Sequence, residues 1–320
     1  MPTISVIMGV YKERPDYLEQ AIESILHQTY SDFEFLIVLD DPGNAALLHI
    51  LKCYETEDSR IRVLVNDRNI GLALSLNRAI FAAQGIYLAR MDADDISLPD
   101  RFLKQADFMD EHPEVSVLGT NKIVIDEEGK EYSKGSPLPS SPEGTAKTLK
   151  YANIMVHPSV MMRKDDIDKI GGYRDFPTSQ DYDLWSRLLT AGMKICNLDD
   201  YLIKYRINSS GVTMGKSYKQ ALVGRYIRAL EKERISTGAT SDSFSRNNLE
   251  LYLEKNNVSD PSEARKYQEA RALLENGRAE LKRHHFLSGT LMLLSAGKKH
   301  PLMRPLLLRQ IMSVLVKKTG

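Results

Sequence analysis

Four short apolar runs rich in β-branched residues stand out early in the chain: Ile4–Val10, Phe33–Leu39, Ile61–Val65 and Ile86–Arg90. Each has the length and unbroken apolar character of a strand buried on both faces. Between them, apolar positions recur at helical spacing. Tyr17, Leu18, Ala21, Ile22, Ile25 and Leu26 form one stripe, and Leu72, Ala73, Leu76, Ala79 and Ile80 form another. Alternation of strand and helix demands right-handed crossovers, which build a mostly parallel sheet with helices on both faces. The predicted class is therefore α/β. Ligands of such sheets bind beyond the carboxyl ends of the strands, and the unusual polar residues fall there. Tyr11 and Glu13 follow the first run, Asp40 and Asp41 the second, and Asp92, Asp94 and Asp95 the fourth.

Further along, Ser116–Ile125, Glu131–Tyr132 and Val156–Met162 read as strands, Pro137–Pro142 as a rigid loop, and Asp181–Ala191 as a helix. After Gly215 the pattern shifts to long helices with few β-branched residues. A boundary between Asn208 and Gly215 follows, giving a first domain of residues 1–212 and a helical region of 213–320. In the latter, Ala264–Arg283 is a charge-laced helix, and Phe286–Ala296 and Leu302–Val316 are apolar helices with basic flanks.

Composition adds two constraints. The two cysteines, Cys53 and Cys196, have no CxxC spacing, so neither a disulfide framework nor a structural zinc site is expected and a reducing compartment is the simplest reading. Met1 runs almost directly into the first strand without a basic and apolar leader, so no signal peptide is expected and the location is read as cytoplasmic. The net charge of zero conceals an asymmetry. Residues 281–320 contain eight Lys and Arg and no acid, which leaves the preceding residues at −8. A basic tail on an acidic body points to an anionic partner. Neither late apolar helix reaches the roughly 20 uncharged residues of a membrane span. A basic, Leu- and Met-rich amphipathic tail instead suits peripheral contact with an anionic membrane. Nucleic acid is not expected, because Phe286 is the tail's only ring for stacking on bases besides its histidines.

The strongest chemical signal is Asp92-Ala93-Asp94-Asp95 at the end of a strand. Three acids in four positions repel one another unless a cation neutralises them. Mg²⁺ and similar hard ions take carboxylates together with substrate phosphates. An acidic turn capping the next helix is the plainer alternative. Asp181 opens a helix, where a carboxylate suits either the helix dipole or proton abstraction. Asp40-Asp41 precedes Pro42-Gly43-Asn44 and reads as a capping turn or as an acceptor for a pyrimidine N–H, with Tyr11 offering a ring face.

Several segments in order carry a resemblance. They are Ser5–Tyr11, Ala21–Tyr30, Glu34–Asp41, Asn69–Ala73 with Asn77, Asp92–Asp95, Gly171-Gly172-Tyr173 and Gln180–Leu188. Together they resemble inverting family 2 glycosyltransferases with a GT-A fold, from Ile4 to about Gly211. The resemblance implies a nucleotide-sugar side at roughly 1–110 and an acceptor side at roughly 111–212. It implies that Gly9, Val10 and Tyr11, with Glu13 nearby, line the nucleotide and that Asp41 contacts uracil. Arg68 or Asn69 would lie near the base or diphosphate. Asp94 would hold Mn²⁺ or Mg²⁺, Asp92 and Ala93 would sit against the donor, Asp181 would be the general base, and Arg206 would close over the donor phosphates. Gln180 stands where many members have Glu, and Asn208 where relatives often have His. The Gln-x-x-Arg-Trp motif of processive synthases is missing, so one sugar per acceptor is expected. The implied reaction moves a hexose or N-acetylhexosamine from a UDP-sugar to a glycan acceptor on a lipid-diphosphate carrier, as in bacterial surface-polysaccharide synthesis. A sugar nucleotidyltransferase fits less well, because Gly9–Arg14 supplies a single glycine and no phosphate-cradling loop. A non-catalytic binding protein that kept the fold is the other alternative.

Overall fold

A computed structural model describes residues 2–207 and 214–307. The chain alternates β1 (Ile4–Val10), α1 (Pro15–Leu26), β2 (Phe33–Leu39), α2 (Ala45–Glu57), β3 (Ile61–Val65), α3 (Leu72–Ala82) and β4 (Tyr87–Asp92). It continues with β5 (Ile96–Ser97), α4 (Arg101–Glu111), β6 (Val115–Ile125), β7 (Glu131–Lys134), α5 (Pro142–Leu149), β8 (Met161–Arg163), α6 (Lys164–Ile170), α7 (Gln180–Thr190) and β9 (Lys194–Arg206). Four long helices follow: α8 (Met214–Thr237), α9 (Arg246–Lys255), α10 (Pro261–Lys282) and α11 (Phe286–Lys299).

Among the described residues, nine strands form one sheet in the order β3-β2-β1-β4-β8-β6-β9-β5, with β7 paired to β6. The first four strands are parallel, and β8 runs antiparallel to both of its neighbours. This is the mostly parallel sheet, with helices, of a GT-A fold, followed by a helical region. The chain winds outward from β1 through β2 to β3 and then returns to place β4 on β1's other side. That reversal opens a crevice at the carboxyl ends of β1 and β4. In register, Gly9 lies between Val38 and Asp92, so the end of β1 is flanked by the loop after β2 and by the acidic run.

Burial explains why β1 is apolar throughout. On one face Ile4, Val6, Met8 and Val10 pack with Leu18 and Ile22 of α1, Leu47 and Leu51 of α2, and Phe102 and Met109 of α4. On the other face α3 comes so close that a Cβ on Gly9 would stand 2.8 Å from Leu72 Cδ1. Each such buried aliphatic side chain contributes roughly 1.5–3 kcal/mol.

The strand expected over Val156–Met162 is shorter than its apolar pattern. Pro158 has no N–H to donate to a ladder, so His157–Ser159 makes a 3-10 turn and pairing is confined to Met161–Arg163. The chain divides into two compact units. One takes the chain up to Ala146 and resumes at Ile154; the other takes Lys147–Asn153 and the described residues from Met214 onward. The expected boundary at 212–213, Asn208, and residues 308–316 of the expected helix Leu302–Val316 lie outside the described residues.

In the second unit, α10 and α11 form an antiparallel pair joined through His284, whose φ is 65°. Their backbones nearly touch, since a Cβ on Gly277 would lie 2.9 Å from the Gly289 carbonyl. No described helix is long and apolar enough to cross a membrane.

Candidate active site

The loop after β2 separates the two acids of its pair. Asp40 is buried, and its carboxylate accepts from Asn66 Nδ2 (2.7 Å), Ile70 N (2.8 Å), Asn69 Nδ2 (3.1 Å) and Gly71 N (2.8 Å). It therefore fixes the Ile70 and Gly71 N–H groups, the two that immediately precede α3. Asp41, one residue on, is half-buried and close enough to Lys12 to help raise its pKa, after the larger effect of Tyr11. Lys12 adopts a left-handed φ of 58°, uncommon for a side chain with a Cβ, at the turn that follows β1. Tyr11 is exposed beside it, and the Tyr11 N–H donates to the Glu13 carboxylate.

At the end of β4, carboxylate oxygens of Asp92, Asp94 and Asp95 lie within 4.8 Å of one another. Burial first, and then the charge of Asp92, pushes Asp94 up to about 6. Asp95 is raised well above the usual carboxylate range by burial and by both neighbouring acids. Glu13 is pushed up to about 7, mainly by burial and further by Asp94 and Asp92. Asp95 Oδ1 accepts from Arg206 N (2.8 Å), whereas its buried Oδ2 has no hydrogen-bond partner. Crowded carboxylates with a buried oxygen unsatisfied match the oxygen donor set of a hard divalent cation, so these residues fit such an ion.

Two arginines brace the acidic turn. Arg90, one per cent exposed in the middle of β4, forms an ion pair with Asp92, while its Nε and Nη1 have no partner. Arg206, at the end of β9, donates from Nε to the Asp94 carbonyl (2.9 Å), from Nη1 to the Asp126 and Glu127 carbonyls, and from Nη2 to Gln20 (2.8 Å). Its guanidinium also lies 4.1 Å from the Tyr17 ring centre. All three nitrogens of Arg206 are thus occupied by protein groups. Below the turn, buried Arg101 of α4 donates to the Arg90 carbonyl (2.8 Å) and so anchors β4 from the helix that follows.

Both acids at the start of α7 are buried. Asp183 is fully buried and receives Arg174 Nε and Arg187 Nε, each at 2.9 Å. Arg187 continues to the Ile170 and Gly172 carbonyls. Asn77 closes the same region by exchanging two hydrogen bonds with Tyr173. A Cβ on Gly172 would stand 2.6 Å from Asn77 Oδ1, and its φ of 65° also suits glycine. Asp181 lies in the first turn of α7, where the helix dipole favours a carboxylate. It and Asp92 both act electrostatically on Tyr173, whose phenol is raised mainly by burial. The Tyr173 hydroxyl is 2.8 Å from His157 Nε2, and burial together with Arg90 keeps His157 well below the ordinary imidazole range.

The structure thus gathers Gly9, Val10, Tyr11, Glu13, Asp41, Asp92, Ala93 and Asp94 at the carboxyl ends of β1, β2 and β4. Arg68 stands exposed in the loop before α3, and Asn69 turns its amide inward onto Asp40. The apolar pattern does not single out Arg90, His157 or Tyr173. The available signal is an arginine inside an apolar run, since a fully buried charge needs a partner.

The fold and this site define an α/β protein with an acidic crevice at the carboxyl ends of a mostly parallel sheet. The model for glycosyl transferase family 2 matches residues 5–171, and the chain belongs to that family. It is similar to the amylovoran biosynthesis glycosyltransferase AmsE of Erwinia amylovora, 36% identical over 67% of this chain and 80% of the relative. It is similar also to the O-antigen biosynthesis glycosyltransferase WbnJ of Escherichia coli, 34% identical over 74% of this chain and 92% of the relative. Among solved structures, residues 1–349 of S. aureus TarS in complex with UDP superpose with a TM-score of 0.57 at 18% identity, covering 78% of this chain and 69% of that TarS fragment. TarS has been crystallised with UDP-GlcNAc as well. At that identity the likeness speaks for the fold alone.

Proposed function

We propose that this glycosyltransferase transfers one hexose or N-acetylhexosamine from a UDP-sugar to a glycan acceptor carried on a lipid diphosphate, with inversion at the anomeric carbon. The observation that carries the reading is the group of three carboxylates, with one buried oxygen unsatisfied, at the mouth of the β1/β4 crevice. In this reading Gly9, Val10 and Tyr11 line the base and Asp41 accepts the uracil N–H. Arg68 is an exposed cation on the donor side. Asp94, with Asp92 and Asp95, would hold Mn²⁺ or Mg²⁺, which when bound offsets negative charge on a diphosphate. Arg90 and Arg206 act on this group by holding Asp92 and the backbone of Asp94.

Asp181 takes the proton of the acceptor hydroxyl as its oxygen bonds to the anomeric carbon. The bond from that carbon to UDP breaks, and the electron pair leaves with UDP. General-base catalysis of this kind contributes about 10²–10⁴-fold. The relatives named for amylovoran and O-antigen biosynthesis support a polysaccharide acceptor. TarS complexes with UDP and UDP-GlcNAc support the donor class.

The test is UDP release from a panel of UDP-sugars with Mn²⁺ and a short lipid-diphosphate saccharide. Acceptor-dependent release with one donor, and a β-linked product from an α-linked donor by NMR, is the expected result. UDP binding without release from any donor would favour the non-catalytic alternative. A product with retained configuration would remove Asp181 as the base.

A further inference from the structure

The two helices of the α10/α11 pair meet water with different surfaces. On α10 the exposed positions carry salt bridges: Arg265–Glu269, Arg271–Glu275 and Lys266–Glu263. On α11 the exposed positions include Phe286, Leu287, Leu291 and Leu294, which are 64%, 78%, 56% and 56% exposed. Leu287, Leu291 and Leu294 are spaced by four and three residues, so they share one face. The opposite face packs inward through Gly289, Leu293 and Ala296. Helix α11 contains no acid. Lys282 and Arg283 precede the apolar stripe and Lys298 ends it, all exposed. Arg283 is shared with Glu280, and Lys299 is tied to Glu269 at 2.5 Å. At 14 residues the helix is roughly 21 Å long, enough to lie flat but not to span.

We propose that this face of α11 docks on the surface of an anionic lipid bilayer, with Phe286, Leu287, Leu291 and Leu294 entering the headgroup boundary. Charge complementarity selects that occupant. An apolar stripe with cations at both ends and no acid on the helix matches a helix lying in the plane of an anionic interface. A protein partner of mixed charge would be met better by the α10 surface. The inference deepens the lipid-carried-acceptor reading and rests on it for biological purpose only. Vesicles without any acceptor are therefore the probe, so failure of the chemistry and failure of docking are told apart.

The experiment is vesicle flotation of the full chain with phosphatidylglycerol/phosphatidylcholine vesicles and with pure phosphatidylcholine, alongside thermal melting and light scattering. The wild type is expected to float with the anionic vesicles, less so at high salt. Leu287→Glu/Leu291→Glu is expected to lower the bound-to-free ratio at least tenfold with its melting temperature unchanged. Lys298→Glu is expected to weaken binding to anionic vesicles alone. The proposal is overturned if the wild type binds neither vesicle or if the double variant floats like the wild type. It is equally overturned if the double variant splits a dimer, which assigns the stripe to a second copy. A lower melting temperature in the double variant would assign the stripe to this chain's own residues and overturn it too.

Discussion

Replacing Arg90 with Met tests whether the acidic turn depends on an internal cation. Arg90 is buried in β4 and paired with Asp92, whose side chain is 30% exposed. At ion-pair contact and an effective dielectric constant near 20, the gross attraction is about 5 kcal/mol. Two effects oppose it. Met removes two buried guanidinium nitrogens without partners, each a cost of about 1–3 kcal/mol in the native protein. Water reaching Asp92 also screens the acid that is left. Breaking a wholly buried pair costs about 3–5 kcal/mol, so a net loss of about 1–3 kcal/mol is expected here. For a unit of roughly 150–250 residues, at about 2–4 °C per kcal/mol, the melting temperature falls by roughly 2–12 °C. Mn²⁺ should restore more of it in Arg90→Met than it adds to the wild type, because the cation then meets carboxylates with no internal counter-charge. Sugar transfer should fall at least tenfold, about 1.4 kcal/mol in the barrier. Differential scanning fluorimetry with and without Mn²⁺, and UDP release, read these effects. A variant that melts like the wild type, gains no more from Mn²⁺ and keeps full turnover would refute the reasoning.

Asp181→Asn is expected to lower kcat by about 10²–10⁴-fold, read from UDP release. Asp183→Asn breaks two ion pairs of a fully buried carboxylate and should cost about 3–5 kcal/mol of stability, seen in denaturant titration. Asp40→Ala leaves the Ile70 and Gly71 N–H groups unpaired at the start of α3, and a loss of about 1–3 kcal/mol is expected in the same assay. The cation-free protein should also respond to pH at the site. Glu13 and Asp94 hold protons more tightly when folded, near 7 and 6, than at their ordinary values of 4.5 and 3.8. Acids raised on folding cost stability as pH rises from the unfolded to the folded value. The window therefore runs from about pH 4 to about pH 7, and Mn²⁺ should raise the melting temperature more at pH 8 than at pH 5.5. Equal Mn²⁺ effects at both pH values would contradict this.

The parallel half of the sheet was legible because strands buried on both faces read as unbroken apolar runs, and β1 to β4 lie within a residue or two of those runs. Helix α2 escapes the same reading because only Leu47 and Leu51 of its 13 residues are buried. Strand β9 escapes it because Asn197, Asp199 and Asp200 interrupt its apolar positions, where its pairing with β6 also shifts register. The acids at the strand ends were legible as a group but not in their division of labour. Nothing in Asp40-Asp41 tells which acid folds inward, since that depends on Asn66, distant in the chain, and nothing in Asp181–Asp183 tells that Asp183 takes Arg174 of the preceding loop as well as Arg187 one turn on in α7. Arg206 is the plainest case. The resemblance implied a phosphate contact for it, and no pattern in the chain foretold its protein partners, the Asp94, Asp126 and Glu127 carbonyls and Gln20.

In the proposed function, the carboxylates after β4 hold a cation for a nucleoside diphosphate in the β1/β4 crevice. Isothermal titration of UDP into the full chain, with Mn²⁺ and with chelator, is the decisive experiment. Binding at least tenfold tighter with Mn²⁺ is expected, with that difference lost in Asp94→Ala and retained in Asp181→Asn. UDP binding of equal strength with and without Mn²⁺, unchanged by Asp94→Ala, would contradict it.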